Sequence, residues 1–293
     1  MATLFSQVEL EANANIVNVA SVRQISPFRY PGGKTWLVPT ISRWLRRRSF
    51  RPALLVDPFV GGGSVPLGVL AEGLVDKVVL GEIDPDVSSV WQCAFSSRNG
   101  ELCTRIERFN ISRESVVAEL KRDPGSLVDH AFQTILRNRT FRGGILAPGA
   151  GLMNQGENGR GVSSRWYAHT LVRRLRLLRS LAPLVEFYEI DAFDLIRRFV
   201  GRRDVAFFID PPYTAGSGKR AGKRLYQRNR LDHPALFDLL RQASGLVLMT
   251  YDDCPEVVQM ANRHSFYVER VPMKNTHHHR KCELLISNSA SVI

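Results

Sequence analysis

Val205-Ala206-Phe207-Phe208-Ile209-Asp210-Pro211-Pro212-Tyr213 is the stretch from which the rest of the chain can be ordered. Five apolar residues stopped by a double proline read as a strand buried on both faces of a parallel sheet, ending at a rigid loop. Open α/β sheets hold their ligands at the carboxyl ends of such strands. The loop therefore brings a carboxylate, two prolines and an aromatic ring to a candidate site.

Those groups suit one kind of chemistry. An aspartate oxygen and the carbonyl of the first proline can both accept hydrogen bonds from an exocyclic amine on a flat heteroaromatic ring, while the tyrosine stacks on that ring. Together they describe a pocket for a base swung out of its helix. Taken alone, four residues fit a loop that merely ends a strand equally well, so other segments decide.

Upstream, Leu54-Leu55-Val56 followed by Asp57-Pro58-Phe59-Val60-Gly61-Gly62-Gly63-Ser64 reads as a strand, a glycine loop and the start of a helix running through Leu67 to Ala71. Glycines let the backbone approach a ligand closely, and the helix start offers free N–H groups. Two phosphate motifs are excluded. Gly61-x-Gly63 lacks the third glycine of a dinucleotide fingerprint because position 66 is Pro66, and Gly33-Lys34-Thr35 lacks the Walker glycine because position 28 is Phe28. Lys77 to Asp84 reads as a second strand ending in the acids Glu82 and Asp84, placed where a ribose diol is bound; as ordinary loop acids they would cap the helix that begins near Asp86. Phe28-Arg29-Tyr30-Pro31-Gly32-Gly33-Lys34 sets an aromatic and a cation on a tight turn before a helix over 35–48, where the lysine could hold a carboxylate.

The order Tyr30-Pro-Gly-Gly-Lys34, Asp57 to Ser64, Gly81-Glu-Ile-Asp84, Asp210-Pro-Pro-Tyr213 and Glu283-Leu-Leu-Ile-Ser-Asn288 resembles the Dam-type, or D12, adenine-N6 DNA methyltransferases over residues 26–288. The resemblance implies S-adenosylmethionine (SAM) as cofactor. Tyr30 and Lys34 then match the residues on its methionine part, Phe59 to Gly63 (with Gly61 and Gly63) the loop that wraps it, and Glu82 the acid on its ribose. Asp191 matches the group at its adenine ring, with Phe193 sharing that role. Asp57 and Asp210 complete the cofactor's surroundings, and Asp210, Pro211, Pro212 and Tyr213 match the catalytic tetrapeptide. The partners implied are double-stranded DNA and, where methylation protects a host genome, a cognate restriction endonuclease; such enzymes commonly act as monomers.

Composition agrees with a nucleic-acid enzyme. The 293 residues are 44% hydrophobic, enough for one sizeable core and an insertion, and the net charge of +12 favours a polyanion. Seven lysines stand against 33 arginines, and arginine contacts phosphate and guanine edges bidentately, although a GC-rich genome enriches it too. From Arg137 to Arg179 there are nine arginines and one acid, Glu157. They lie between the second and third strands, in a connection far too long for an ordinary loop.

The expected architecture is a Rossmann-like, mostly parallel sheet with a mostly helical target-recognition insertion. It divides into an N-terminal arm (1–25), a SAM-binding catalytic domain (26–93 and 184–293) and the insertion (94–183). Helices are expected over 115–121, 128–136 and 167–181, flanking a glycine-rich loop or hairpin over 143–161. Arg137, Asn138, Arg139 and Arg142 resemble the Asn-Arg segment of Dam-type recognition domains. Beyond them Ala147-Pro148-Gly149-Ala150-Gly151 replaces the basic hairpin of GATC readers, which puts a GATC target in doubt. A second basic run, Lys219 to Arg230 with Arg220 and Arg224, is read as a cationic loop clamping phosphates beside the pocket.

His277-His278-His279 with Cys282 does not read as a metal site, because adjacent histidines point in different directions. Cys93, Cys103, Cys254 and Cys282 fit reduced thiols in a cytoplasmic chain, and no run reaches membrane-spanning length. Two other functions use the same residues in part. A cytosine-N4 methyltransferase shares the amine chemistry and differs in motif order and in Ser at position 210; a catalytically silent SAM or DNA binder has no need of the intact tetrapeptide, glycine loop and Lys34. Extrusion chemistry is also shared with RNA substrates.

Overall fold

The structure, a computed structural model, describes residues 19–29, 32–147, 149–212, 231–274 and 280–290. Its strands are β1 (Leu54–Asp57), β2 (Lys77–Glu82), β3 (Val185–Glu189), β4 (Val205–Ile209), β5 (Leu246–Asp252), β6 (Tyr267–Lys274) and β7 (Arg280–Ser287). They form one sheet in the order β3-β2-β1-β4-β5-β7-β6. All pairings from β3 across to β5 are parallel, and β7 runs antiparallel to both its neighbours.

Every residue of β1 and β4 is buried. Uniform burial replaces alternation because both faces are covered, and the period of two then assigns successive side chains to opposite sides. Leu55, Val78, Leu80, Ala206, Phe208 and Leu248 enter one apolar cluster, while Leu54, Val56, Val79, Phe207, Ile209, Val247 and Met249 enter the other. The edge strand β3 is only partly buried and carries Glu186 and Glu189; charges at an edge oppose pairing with a further strand.

The first cluster is covered by α1 (Val38–Arg46), α2 (Ser64–Ala71) and α3 (Pro85–Phe95), and the second by α8 (Ala192–Phe199), α9 (His233–Leu240) and α10 (Pro255–Arg263). Asp84 caps α3 by accepting the Asp86 N–H at 2.9 Å, which is the capping role that its position allows. The chain runs from β1 outward through β2 to β3 and then returns to β4 on the other side of β1. That reversal opens a crevice beyond the ends of β1 and β4, at Asp57 and Asp210.

Between β2 and β3 lie α4 (Asn99–Arg108), α5 (Arg113–Leu120), α6 (Leu127–Thr140) and α7 (Ala168–Leu181); the last three fall where helices are expected, and α4 is additional. Their apolar faces do not close a core of their own. Leu102, Ile106, Phe132, Leu171 and Leu175 merge with Trp91 and the α1–α3 layer in one cluster. Phe109, Phe132 and Trp166 pack edge to face with centroids 5.1–6.2 Å apart. Across the glycine-rich segment the described residues form short 3₁₀ turns and one antiparallel bridge, Phe141 to Leu152, in place of hairpin strands. Glycines at positive φ, Gly143, Gly144, Gly149, Gly156, Gly159 and Gly161, explain the irregular path.

Polar ties fasten this insertion to α3 and to the turn before α1. Asp86 accepts from Arg137 Nη1 at 2.8 Å and lies 2.7 Å from His130 Nε2. Asn138 is buried; its amide accepts the Arg29 N–H at 2.9 Å and donates to the carbonyls of Arg29 and Gly144. A Cβ on Gly144 would meet the Arg29 carbonyl oxygen at 2.6 Å, so close approach demands glycine there.

Candidate active site

The glycine loop after β1 is shaped by its backbone and locked by neighbours. Gly61 and Gly63 adopt φ of 43° and 63°, a region that residues with a Cβ enter only at a cost. The indole of Trp91 donates to the Gly61 carbonyl at 3.0 Å, and its ring lies 3.0 Å from where a Gly63 Cβ would stand. Glu82, at the end of β2, completes the lock: Oε2 accepts the Gly61 N–H at 3.1 Å, and Oε1 accepts those of Ile83 and Asp84 at 3.0 Å. Burial pushes the Glu82 carboxyl up to about 7, against the opposing pull of these backbone donors. Asp57, 2% exposed, accepts the Phe59 N–H and is held well above the usual carboxylate range, first by burial.

Across the crevice, Asp210 follows β4. Its Oδ1 accepts from the Thr250 hydroxyl at 2.7 Å and from Lys34 Nζ at 2.9 Å. Lys34 also reaches Glu283 Oε1 at 3.0 Å and the Gly32 carbonyl at 2.9 Å. Three acceptors match the three protons of an ammonium. Burial by itself would lower the Lys34 pKa, but Asp210 and Glu283 outweigh it and hold it above its ordinary value. Glu283 reaches this point because β7 runs antiparallel and so begins at the end where β4 and β5 finish; its register partner on β5 is Asp252.

Between these halves lies a cavity of about 290 Å³. It brings together Lys34, Asp57, Phe59, Gly61, Gly63, Glu82, Asp191, Asp210 and Pro212. Asp191 caps α8 by accepting the Phe193 N–H at 2.8 Å. Phe193 itself is not among the described lining residues; it packs against the second apolar cluster, with Arg197 over its ring at 5.8 Å. Pro211 is buried. Tyr30, Tyr213, Pro148, the run holding Arg220 and Arg224, and His277–His279 lie outside the described residues.

Arg137, Asn138, Arg139 and Arg142, expected on DNA, are not among the residues lining this cavity. Arg137 is engaged with Asp86 and Asn138 is a buried staple; Arg139 is 5% exposed, and Arg142 is exposed beside a shallow hollow with Met153, Asn154 and Gln155. Sequence reading did not single out Thr250, Trp91 or the pairing of Glu283 with Lys34. An acid opening an apolar strand was the available signal for Glu283. For Thr250, inside an apolar run, and Trp91, on a helix of mixed character, there was none.

One family model matches part of the chain. Residues 30–136 match the family model of the D12 class N6 adenine-specific DNA methyltransferases. The matched stretch holds Lys34, the glycine loop and Glu82, and it supports a DNA methyltransferase; Asp210 lies beyond it. No curated protein matches the chain. Among solved structures, a Pyrococcus horikoshii protein provisionally described as an RNA methyltransferase aligns over 97% of this chain and 98% of its own, at 12% identity and a TM-score of 0.41. A SAM-dependent methyltransferase from Agrobacterium tumefaciens aligns over 87% of this chain and 61% of its own, at 10% identity and a TM-score of 0.40. Both likenesses are too loose to inform the chemistry.

Proposed function

We propose that this chain transfers a methyl group from SAM to the exocyclic N6 amine of an adenine swung out of double-stranded DNA. The observation that carries this reading is Asp210, fixed by Lys34 and Thr250 at the sheet's switch point, on the same cavity as Glu82 and the glycine loop.

The cavity's donor set fits SAM. Glu82 at one end offers a carboxylate to ribose hydroxyls, the positive-φ loop brings backbone close to the ligand, and Asp191 borders the adenine end. When bound, SAM supplies an electrophilic sulfonium methyl. In this reading Lys34 is a positioning residue, since its three protons go to Asp210, Glu283 and Gly32. It acts on the reaction by orienting Asp210.

Adenine's amino lone pair is delocalised into the ring, so the nitrogen is a poor nucleophile until acceptors hold its hydrogens and favour a pyramidal centre. Asp210 and the Pro211 carbonyl supply those acceptors, and Tyr213 stacks on the extruded base, an interaction worth about 1–3 kcal/mol. The protein's work is in-line positioning and preorganised charge. Residues 94–183 serve as the DNA-reading part, with the chain acting as a monomer.

Expression in a methylation-free host, followed by single-molecule sequencing of its genomic DNA, tests the reading. N6-methyladenine at one short motif is expected. N4-methylcytosine, or unmodified DNA from a folded, SAM-binding chain, overturns it.

A further inference from the structure

A second cavity, of about 660 Å³, adjoins the first; Gly33 and Ser64 line both. Three arginines face it from three directions: Arg29 from the turn before α1, Arg139 from the end of α6, and Arg174 from α7. Arg139 is 5% exposed and its Nη2 donates to the Pro27 carbonyl, while Arg174 Nη1 donates to the neighbouring Ser26 carbonyl at 2.9 Å. The Nε atoms of both are buried without a hydrogen-bond partner. Neither arginine forms an ion pair among the described residues; Glu157 pairs with Arg165 at 2.9 Å and more distantly with Arg29 at 3.7 Å.

This is an expensive arrangement for a folded chain. A buried cation needs a counter-charge, and truncating one partner of such a pair is strongly destabilising because the remaining charge is stranded. Here no counter-charge pairs with Arg139 or Arg174 among the described residues. Burial, and then repulsion from Arg174, Arg29 and Arg165, pulls the Arg139 guanidinium down to about 9. Guanidinium forks are matched in geometry to phosphate oxygens. The exposed ring of Tyr167 adds a flat surface at the same cavity.

We propose that Arg139, Arg174 and Arg29 form a built oxyanion site that receives one backbone phosphate of the DNA, beside the nucleotide whose base enters the catalytic cavity. The proposal rests on the DNA reading given above. It differs from a general basic face, because Arg139 is held inside the protein and points its charge at one cavity. It also gives the insertion a task besides reading bases: α6 and α7 each contribute one fork, and the turn leading into Lys34 contributes the third, so an anion bound here ties the insertion to the catalytic half.

Two measurements test it, using the full chain, Arg174→Gln, Arg29→Gln and, as a control for lost charge, the exposed Arg241→Gln. First, thermal melting is followed in sodium phosphate against sodium chloride at equal ionic strength. Phosphate is expected to raise the melting temperature of the wild type and of Arg241→Gln, and to lose at least half of that effect in Arg174→Gln. Second, duplex DNA binding is followed by fluorescence anisotropy from 50 to 200 mM salt. The slope of log affinity against log salt should shrink by about 0.9 in Arg174→Gln, one phosphate's worth, and remain unchanged in Arg241→Gln, with SAM affinity constant throughout.

Equal slopes in all variants overturn the assignment to DNA, and a phosphate effect that survives Arg174→Gln overturns the site itself. Weakened SAM binding in Arg174→Gln would hand the anion site to the cofactor. A wild type without salt-dependent duplex binding brings down this proposal together with the reading on which it rests, whereas sequencing that shows N6-methyladenine alongside unchanged slopes brings down this proposal alone.

Discussion

Lys34 and Arg139 are both buried cations at 5% exposure, and their surroundings are opposite. Lys34 touches two carboxylates and a carbonyl, so its charge is matched inside the chain. Arg139 touches one carbonyl and feels three other guanidiniums. Desolvation penalises both, but among the described residues carboxylates meet the penalty at Lys34 and none does at Arg139. A charge completed by its own fold serves geometry, here the orientation of Asp210. One left incomplete points to something that arrives from outside.

The comparison can be sharpened by removing each cation in turn. Lys34→Met strands Asp210 and Glu283 without their partner, and urea unfolding should show a loss of about 3–5 kcal/mol; adding Glu283→Gln should recover part of it. If Lys34→Met is as stable as the wild type, the ion pairing does not organise the site.

Glu82 supplies the next largest effect. Its folded pKa lies near 7 against 4.5 in an open chain, so between those values the folded state binds the extra proton and stability falls as pH rises. Without ligand, the wild type should lose on the order of 3 kcal/mol relative to Glu82→Gln from pH 4.5 to above 7. SAM affinity should move the other way, tightening from pH 6 to 8 as the carboxylate forms, and calorimetry on Glu82→Gln should show no such rise.

Gly63→Ala sets a Cβ at a φ of 63° and 3.0 Å from Trp91, which should cost about 1–2 kcal/mol and loosen SAM binding, readable in the same titrations. The smallest effect belongs to the other cation. Arg139→Met should change the stability of the DNA-free protein by less than about 1 kcal/mol, since the lost bond to Pro27 is offset by relief from three like charges. A loss as large as that of Lys34→Met would show that Arg139 is matched after all.

How much of this was legible in sequence depended on which physical signal was local. The runs of β1 and β4, the capping role of Asp84 and the helices α5, α6 and α7 follow from patterns a few residues long, and all are present in the structure, whereas α4 was not read from the sequence. The meeting of Lys34 with Glu283 depends on β7 lying antiparallel between β5 and β6, a register that no local pattern encodes. The burial of Arg139, which the resemblance had already set among the DNA-contacting residues, was illegible for a different reason. Its helix buries nearly every position from Ala131 to Leu136 and from Asn138 to Thr140, so helical periodicity offers no polar side on which to place an arginine. Arg137 and Asn138, placed on DNA by the family resemblance, are engaged in the structure with Asp86, Arg29 and Gly144, contacts that no local pattern encodes.

The central claim concerns Asp210 and the amine it receives. Duplex DNA incubated with methyl-labelled SAM and the wild type, then digested and analysed by nucleoside mass spectrometry, should yield labelled N6-methyldeoxyadenosine. Asp210→Ala should reduce that product by at least about a hundredfold while its SAM affinity stays within a few-fold of the wild type. Label appearing in deoxycytidine, or undiminished transfer by Asp210→Ala, would contradict the account.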